Sequence, residues 1–235
     1  RRFESVTLSL ANWVTAPTQL ALDQLARDLA LPFNPSHWKV VPHAAIAMPA
    51  TNQSQTREQL GWPQNGFHVL GVGRLASLKR FDMLVEVCAN LARRYPALHL
   101  HLLGDGDPTV LQQIAVTAGF GDRIHFAVVD EVRPYLAAAD VYVSTSQTES
   151  FGLANFEAML AGLPCICTAV GGVPEVMGRG AWLIPVDKEV LEGSLDELIS
   201  KPELRQMLSA RAVVQSRRAS TLSWVTDQYV SIFQQ

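Results

Sequence analysis

From Phe67 onward, short apolar runs alternate with helical stretches, and this alternation limits the fold more than any other feature of the chain. The pattern predicts strands at Phe67–Gly73, Leu98–Gly104, Arg123–Ala127, Asp140–Thr145, Pro164–Thr168 and Ala181–Ile184. Between them it predicts helices at Arg80–Tyr95, Pro108–Ala118, Val132–Ala138 and Gly152–Ala161, with a short turn near Pro174–Met177. Helices at Asp187–Ser200, Pro202–Arg218 and Thr221–Phe233 close the chain. Several strands are almost wholly apolar, as expected of strands covered on both faces. Strands alternating with helices imply βαβ units, a parallel sheet and right-handed crossovers. The expected fold class is therefore α/β, with a doubly wound, Rossmann-like parallel sheet.

Residues 1–43 follow a different pattern. Asn12–Ala16 reads as a strand, and Pro17 and Thr18 open a helix, since proline suits a first turn. Leu20, Leu22, Leu25, Leu29 and Leu31 give that helix an apolar face, and Pro32 closes it. Trp38–Val41 reads as a short strand ended by Pro42. The stretch Ala50–Gly66 is polar and broken by Gly61, Pro63 and Asn65-Gly66. It reads as a linker with one short helix near Gln55–Leu60.

With 235 residues, nearly half of them apolar, the chain has material for a large core without disulfides or metal. A formal net charge of −3 speaks against a general nucleic-acid binder, which would carry a basic face. No apolar run reaches the roughly 20 residues that a membrane helix needs, and no signal peptide is visible. The chain starts Arg1-Arg2 without methionine, as a fragment or a processed form would. Cys88, Cys165 and Cys167 lie in apolar segments and read as reduced core thiols rather than a disulfide or metal site. His99 and His101 alternate along a strand with no third ligand nearby, so they read as core or edge histidines rather than metal ligands.

In a doubly wound sheet, ligands bind beyond the carboxyl ends of the strands. Five such ends here carry glycines or polar groups: Gly71-Val72-Gly73-Arg74 with Lys79, Gly104-Asp105-Gly106, Ala127-Val128-Val129-Asp130, Ser144–Gly152, and Val170-Gly171-Gly172. Arg74 and Lys79 beside a glycine-rich turn suit a diphosphate, although either could be a solvated surface charge. Gly71-x-Gly73-x-x-Ala76 also fits the dinucleotide fingerprint, a weak signal when it stands alone. Gly104–Asp107 is either a turn with a helix cap or part of the ligand edge.

Two carboxylates, Glu149 and Glu157, stand with seven residues between them. Glu149 falls in the loop before a helix, and Glu157 inside that helix on the stripe of Leu153 and Leu160. A carboxylate on an apolar stripe is costly unless something pairs with it or needs it. The helix start at Phe151-Gly152-Leu153 offers free N–H groups and a positive dipole end to a phosphate.

The segment from Glu149 to Pro164 resembles the E-x7-E motif of retaining glycosyltransferases of the GT-B fold, glycosyltransferase family 4. Gly73-Arg74-Leu75 with Lys79 resembles the family's phosphate-contacting loop, and Leu103-Gly104-Asp105-Gly106 its GDG turn. Ala139-Asp140-Val141 and Gly171-Gly172-Val173-Pro174-Glu175 match two further motifs in order and spacing. The resemblance covers the chain from Leu70 on. It implies that residues 1–43 are the tail of an N-terminal acceptor domain, 44–218 a nucleotide-sugar donor domain, and 219–235 a helix, with Trp224, Tyr229 and Phe233, that crosses back to the acceptor side.

The implied roles follow residue by residue. Gly73, Arg74, Lys79 and the amides of Phe151, Gly152 and Leu153 would hold the donor diphosphate. Glu149, the catalytic candidate, would hold donor-sugar hydroxyls, and Glu157 the ribose. Ala127, Val128 and Val129 would touch the base through their backbone. The resemblance implies no cofactor and no metal, a nucleotide-sugar donor, and a glycan or lipid-linked acceptor bound by the other half. It further implies a cytoplasmic protein, with peripheral membrane association through that other half. The isolated chain would be inactive. Three departures stand out: Pro42-His43-Ala44 replaces Pro-Asn-Gly, Leu78 replaces a glutamate, and Val128 replaces a glycine. The alternatives are a non-catalytic nucleotide- or partner-binding module, an NAD-dependent oxidoreductase and, more weakly, a sugar-nucleotide epimerase of the same form. Asp105 comes late for the acidic residue of an NAD site, and such a site has no need of Arg74, Lys79 and Glu157.

Overall fold

The computed structural model describes residues 11–30, 36–44, 52–218 and 220–234. The helix closure expected at Leu31 and Pro32, and the front of the expected linker at 50–51, lie outside these residues.

The chain opens with strand β1 (Val14–Ala16), helix α1 (Gln19–Leu29) and strand β2 (Trp38–Val40). β1 and β2 pair in parallel as a separate two-stranded sheet. The N-cap of α1 is Thr18, whose hydroxyl accepts from Ala21 N at 3.2 Å. Pro17 thus precedes the cap and does not open the first turn. Among the described residues of the expected leucine face, only Leu22 is fully buried, packed with Val14 and Trp38, while Leu20 is exposed.

Helix α2 (Gln53–Leu60) is capped by Asn52 and leads into strand β3 (Phe67–Val72). The segment read as a linker is in fact built into the domain. Arg57 is buried, donates from Nε to Ala138 O at 2.8 Å and pairs with Asp140 at 2.8 Å. Gln53 donates to Ala139 O at 2.8 Å. Polar composition concealed this packing because the side chain that anchors the helix is an arginine, a residue seldom buried without a partner.

The alternation then runs through α3 (Phe81–Leu91), β4 (Leu98–Leu103), α4 (Thr109–Thr117), β5 (Ile124–Ala127), α5 (Arg133–Ala138), β6 (Val141–Ser144), α6 (Leu153–Leu160) and β7 (Cys165–Thr168). A short α7 (Val173–Met177), β8 (Trp182–Ile184), α8 (Lys188–Ser200), α9 (Pro202–Ser216) and α10 (Leu222–Phe233) complete it. Strands β3 to β8 form one wholly parallel sheet in the order β5-β4-β3-β6-β7-β8. The chain winds outward from β3 to β5, then returns to the other side of β3 to lay down β6. The switch point, where loops diverge and leave a crevice, therefore lies between the carboxyl ends of β3 and β6.

Both faces of the central strands are covered, while the edge strand β5 leaves His125 exposed. On one face Val69, Leu100, Leu102, Val141 and Ile166 pack with α3 and α8. On the other, Leu70, Tyr142, Cys165 and Cys167 pack with Phe156, Met159 and Met177. Each such side chain contributes about 1.5–3 kcal/mol when fully buried. All three cysteines are free and buried, and burial pushes their thiols well above the ordinary value.

Four histidines share the second face: His68 on β3, His99 and His101 on β4, and His125 on β5. Trp62 lies flat on His101 with ring centroids 3.6 Å apart, and His101 stacks on His125 at 4.7 Å. His68 Nδ1 is 3.0 Å from His101 Nε2, and its Nε2 is 2.9 Å from Pro63 O. Loss of solvent lowers all four, His99 to about 4 and His101 to about 2. The rings are thus neutral aromatic packing. Among the described residues no group of three or more such side chains is placed to hold a metal.

Helix α10 leaves Leu222, Trp224, Val230 and Phe233 exposed, the last by 84%. Among the described residues no helix is long and apolar enough to cross a membrane.

Candidate functional site

The site begins where β3 ends. Gly73 N donates to Leu103 O at 2.8 Å, and Gly104 N donates to Ala127 O at 2.9 Å, so the ladder continues one residue past the strands. The two glycine turns touch. A Cβ on Gly104, at φ 151°, would lie 2.0 Å from Gly73 O, so only glycine fits there. Leu75 N donates to Asp105 O at 2.7 Å. Asp107 accepts from Thr109 N at 2.9 Å at the start of α4. The Gly104–Asp107 stretch is therefore both a turn that serves the next helix and a wall behind the Gly73–Leu75 loop.

Beyond Gly73 the chain makes one 3-10 turn, Ser77–Lys79, and Arg80 takes a left-handed conformation at φ 50° as α3 begins. The loop after β6 is sewn to this turn. Thr145 Oγ1 donates to the Lys79 and Arg80 carbonyls at 2.7 and 3.0 Å, and Gln147 N donates to Leu78 O at 2.8 Å. Thr168 Oγ1 donates to Ser146 O at 2.6 Å. These bonds bring together two residues 70 positions apart: Lys79 Nζ forms an ion pair with Glu149 Oε1. Ser146 Oγ donates to the same oxygen at 2.9 Å.

The loop after β7 clamps Glu149 from behind. Gly172 N donates to Glu149 O at 2.9 Å. A Cβ on Gly171, at φ 52°, would lie 1.8 Å from that oxygen. Thr18 Oγ1 donates to Ser150 O at 3.0 Å, and Glu175 accepts from Gln19 N at 3.0 and 3.1 Å. The opening segment is thus fastened to the same loop.

Gly152, at φ 77°, caps α6. The amides of Phe151, Gly152 and Leu153 make no hydrogen bond to protein among the described residues. The Phe151 ring is buried edge-on against Phe156 and His43, at 5.2 and 4.7 Å. Asn155, fully buried, accepts from Tyr142 Oη at 2.8 Å, and its Nδ2 has no partner among the described residues. The face of α6 that enters the core carries Asn155, Phe156, Ala158 and Met159. Leu153 is 50% exposed, so the stripe expected from Leu153 and Leu160 is not the core face.

Glu157 stands half-buried at the flank of α6, in a cavity lined by Glu131, Val132, Arg133, Phe156 and Leu160. Loss of solvent, with a smaller push from Glu131, raises its carboxyl above the ordinary value. Glu131 itself is held down, to about 2, by hydrogen bonds from Arg133. Glu157 makes no ion pair among the described residues. The stretch Ala127–Val129 leads directly into this cavity wall. The Ala127 carbonyl already accepts from Gly104, and the Val128 side chain points to solvent, 72% exposed. Arg74 is exposed and makes no ion pair among the described residues.

The structure thus joins Lys79 directly to Glu149, with the α6 amides next in line. Glu157 and Ala127–Val129 form a second group around Glu131 and Arg133. Sequence reasoning missed Ser146, Glu131, Arg133 and the Thr18–Ser150 contact. None sits in a pattern that marks it. Each is singled out only by what the fold brings against it.

A doubly wound parallel sheet with a charged crevice at its switch point defines an α/β domain with the crevice where such sheets bind ligands. Its sequence is more specific. A profile of the family described as "Glycosyl transferases group 1" matches residues 52–214, more than half of the chain. The chain belongs to that family, which sets it apart from the NAD-dependent oxidoreductases. It is 35% identical over 201 residues to D-inositol 3-phosphate glycosyltransferase of Thermomonospora curvata, covering 76% of this chain and 45% of that protein. It is 28% identical over 249 residues to mannosylfructose-phosphate synthase of Agrobacterium fabrum, covering 97% and 54%. The chain therefore spans about half the length of these relatives.

Solved structures agree on the fold. Sucrose-phosphate synthase from Thermosynechococcus elongatus superposes with a TM-score of 0.86 at 23% identity, covering 99% of this chain and 60% of that one. The Anabaena protein Alr3699/HepE, solved in complex with UDP and glucose, gives 0.84 at 22% identity, covering 95% and 63%. The fold is one half of the GT-B architecture.

Proposed function

We propose that the chain is the donor-binding half of a retaining glycosyltransferase that takes its sugar from a nucleoside diphosphate. The observation that carries this reading is the meeting, at the switch point, of Lys79, Glu149 and the unpartnered amides that start α6. Arg74, Lys79 and the Phe151, Gly152 and Leu153 amides hold the diphosphate beside Gly73. Glu149 accepts from the sugar hydroxyls and Glu157 from the ribose. The backbone at Ala127, Val128 and Val129 borders the base.

The acceptor oxygen bonds to the anomeric carbon on the face the nucleotide leaves. The bond from that carbon to the phosphate oxygen breaks, and the leaving phosphate takes the acceptor proton. What these residues supply is stabilisation of charge on the leaving diphosphate, together with positioning. No metal is needed for that role. The acceptor, a glycan or a lipid-linked molecule, is held by the other half of the enzyme, in the cytoplasm or at the inner membrane face.

Two measurements test this. In calorimetric titration with UDP, GDP and ADP, the chain binds one of them, and Lys79→Ala weakens that binding at least about tenfold, the worth of one charge-assisted contact. Binding to none of the three, or binding indifferent to Lys79, overturns the reading. Sugar transfer by the 235 residues alone is expected to be negligible. Robust turnover would show that this chain already contains a complete acceptor site.

A further inference from the structure

We infer that the Lys79–Glu149 pair is a specificity device by which the site prefers the intact donor to its own nucleoside diphosphate product. This inference rests on the donor-site reading above. In the structure Lys79 is not a free cation awaiting phosphate. It is already paired with Glu149, and Ser146 Oγ holds the same carboxylate oxygen at 2.9 Å. The Lys79 side chain is 27% exposed and that of Glu149 15%, so water screens the pair only in part. Hydrogen bonds to the backbone oppose separation of the two loops. Thr145 and Gln147 tie the two loops together, and Gly172 holds the Glu149 carbonyl. The two side chains are the parts least held by these bonds.

A diphosphate that takes Lys79 must therefore take it from Glu149. If the ligand is a nucleoside diphosphate, Glu149 keeps only the Ser146 hydroxyl, and a second anion now stands close by. A half-dry carboxylate left in that state is costly. If the ligand still carries its sugar, the hydroxyls of that sugar donate to Glu149 as Lys79 turns to the phosphate. Both ions then exchange one partner for another. The intact donor satisfies the pair, whereas the product breaks it. Once the sugar has moved to the acceptor, Glu149 competes again for Lys79 and assists departure of the diphosphate. Glu157 has no such partner, so the two carboxylates have opposite effects on product affinity.

The test is calorimetric titration of the chain with whichever of UDP, GDP and ADP the wild type binds. Glu149→Gln keeps the shape and removes the charge. It is expected to bind the nucleoside diphosphate roughly three- to tenfold more tightly than wild type, as expected when a competing charge pair is removed. Glu157→Gln is expected to weaken the same binding. In a Lys79→Ala background the Glu149→Gln gain disappears, because no cation is left to release. Glu149→Ser, prepared alongside, carries the same expectation should the glutamine variant fail to fold. A merely structural Glu149 would give weaker binding in both variants. That result, or unchanged affinity, or a gain that persists without Lys79, overturns the inference. Wild-type protein that binds none of the three nucleotides removes the donor-site reading itself, a separate outcome.

Discussion

Gly171→Ala is expected to destabilise the protein by more than about 3 kcal/mol and to remove nucleotide binding, a loss of the size seen for severe overpacking. A Cβ at that position would stand 1.8 Å from Glu149 O, with backbone on both sides of the clash. No side chain can rotate away to relieve it, so the loop that carries Glu149 must move. Gly172, the next residue, donates to the same carbonyl, and the move would break that bond too. Gly119 provides the control. It also has a left-handed backbone, at φ 73°, yet a Cβ there meets nothing within 4 Å. Gly119→Ala should lose only the backbone preference, about 1 kcal/mol. Urea unfolding of the two variants separates crowding from strain. Equal midpoints for both would show that the loop behind Glu149 yields at no cost.

Acidification is expected to weaken the fold strongly between pH 6.5 and 4. His68, His99, His101 and His125 all have folded values below the ordinary 6.5, chiefly through burial. The unfolded chain takes up these protons as pH falls through 6.5, while the folded chain refuses them. Stability is therefore full above 6.5 and is lost as pH falls below it. His101, at about 2 in the fold, remains neutral throughout this window, and His99 does so until about 4. At pH 4.5, His101 alone contributes a loss of about 3 kcal/mol, two pH steps below its unfolded value. Thermal unfolding from pH 7.5 to 4.5 should show the midpoint falling steadily, with a shallower fall in His101→Gln. A midpoint flat to pH 4.5 would mean that the stacked rings accept protons in place.

The sheet was readable because its strands are buried on both faces. Val69 and Leu70 are adjacent, face opposite sides and are both wholly enclosed, so the run Phe67–Val72 needed no alternation to announce a strand. Order within the sheet was not readable. Nothing local says that β6 lies beside β3 rather than beyond β5, and the pairing of Lys79 with Glu149 depends on that placement. The glycines showed where turns would fall, but not that Gly104 must admit the Gly73 carbonyl. The buried stripe of α6 was misread because Leu153 and Leu160 are more apolar than Asn155. The core accepted the amide, since Tyr142 reaches it with a hydroxyl. His99 and His101 were visible as a pair. His68 and His125 join them only through parallel register, which sets His68 opposite His99 and His125 opposite His101.

The bonds from Thr18 to Ser150 O and from the first amides of α1 to Glu175 carry a mechanical consequence. Helix α1 is a rod of eleven residues hinged at its amino end on the loop that presents Glu149. Whatever grips its far end works a lever whose short arm is the Ser150 carbonyl, in the same planar peptide group as the Phe151 amide. Rotation of a neighbouring body against α1 would reach that amide as a small, directed displacement, with no part of the six-stranded sheet having to bend.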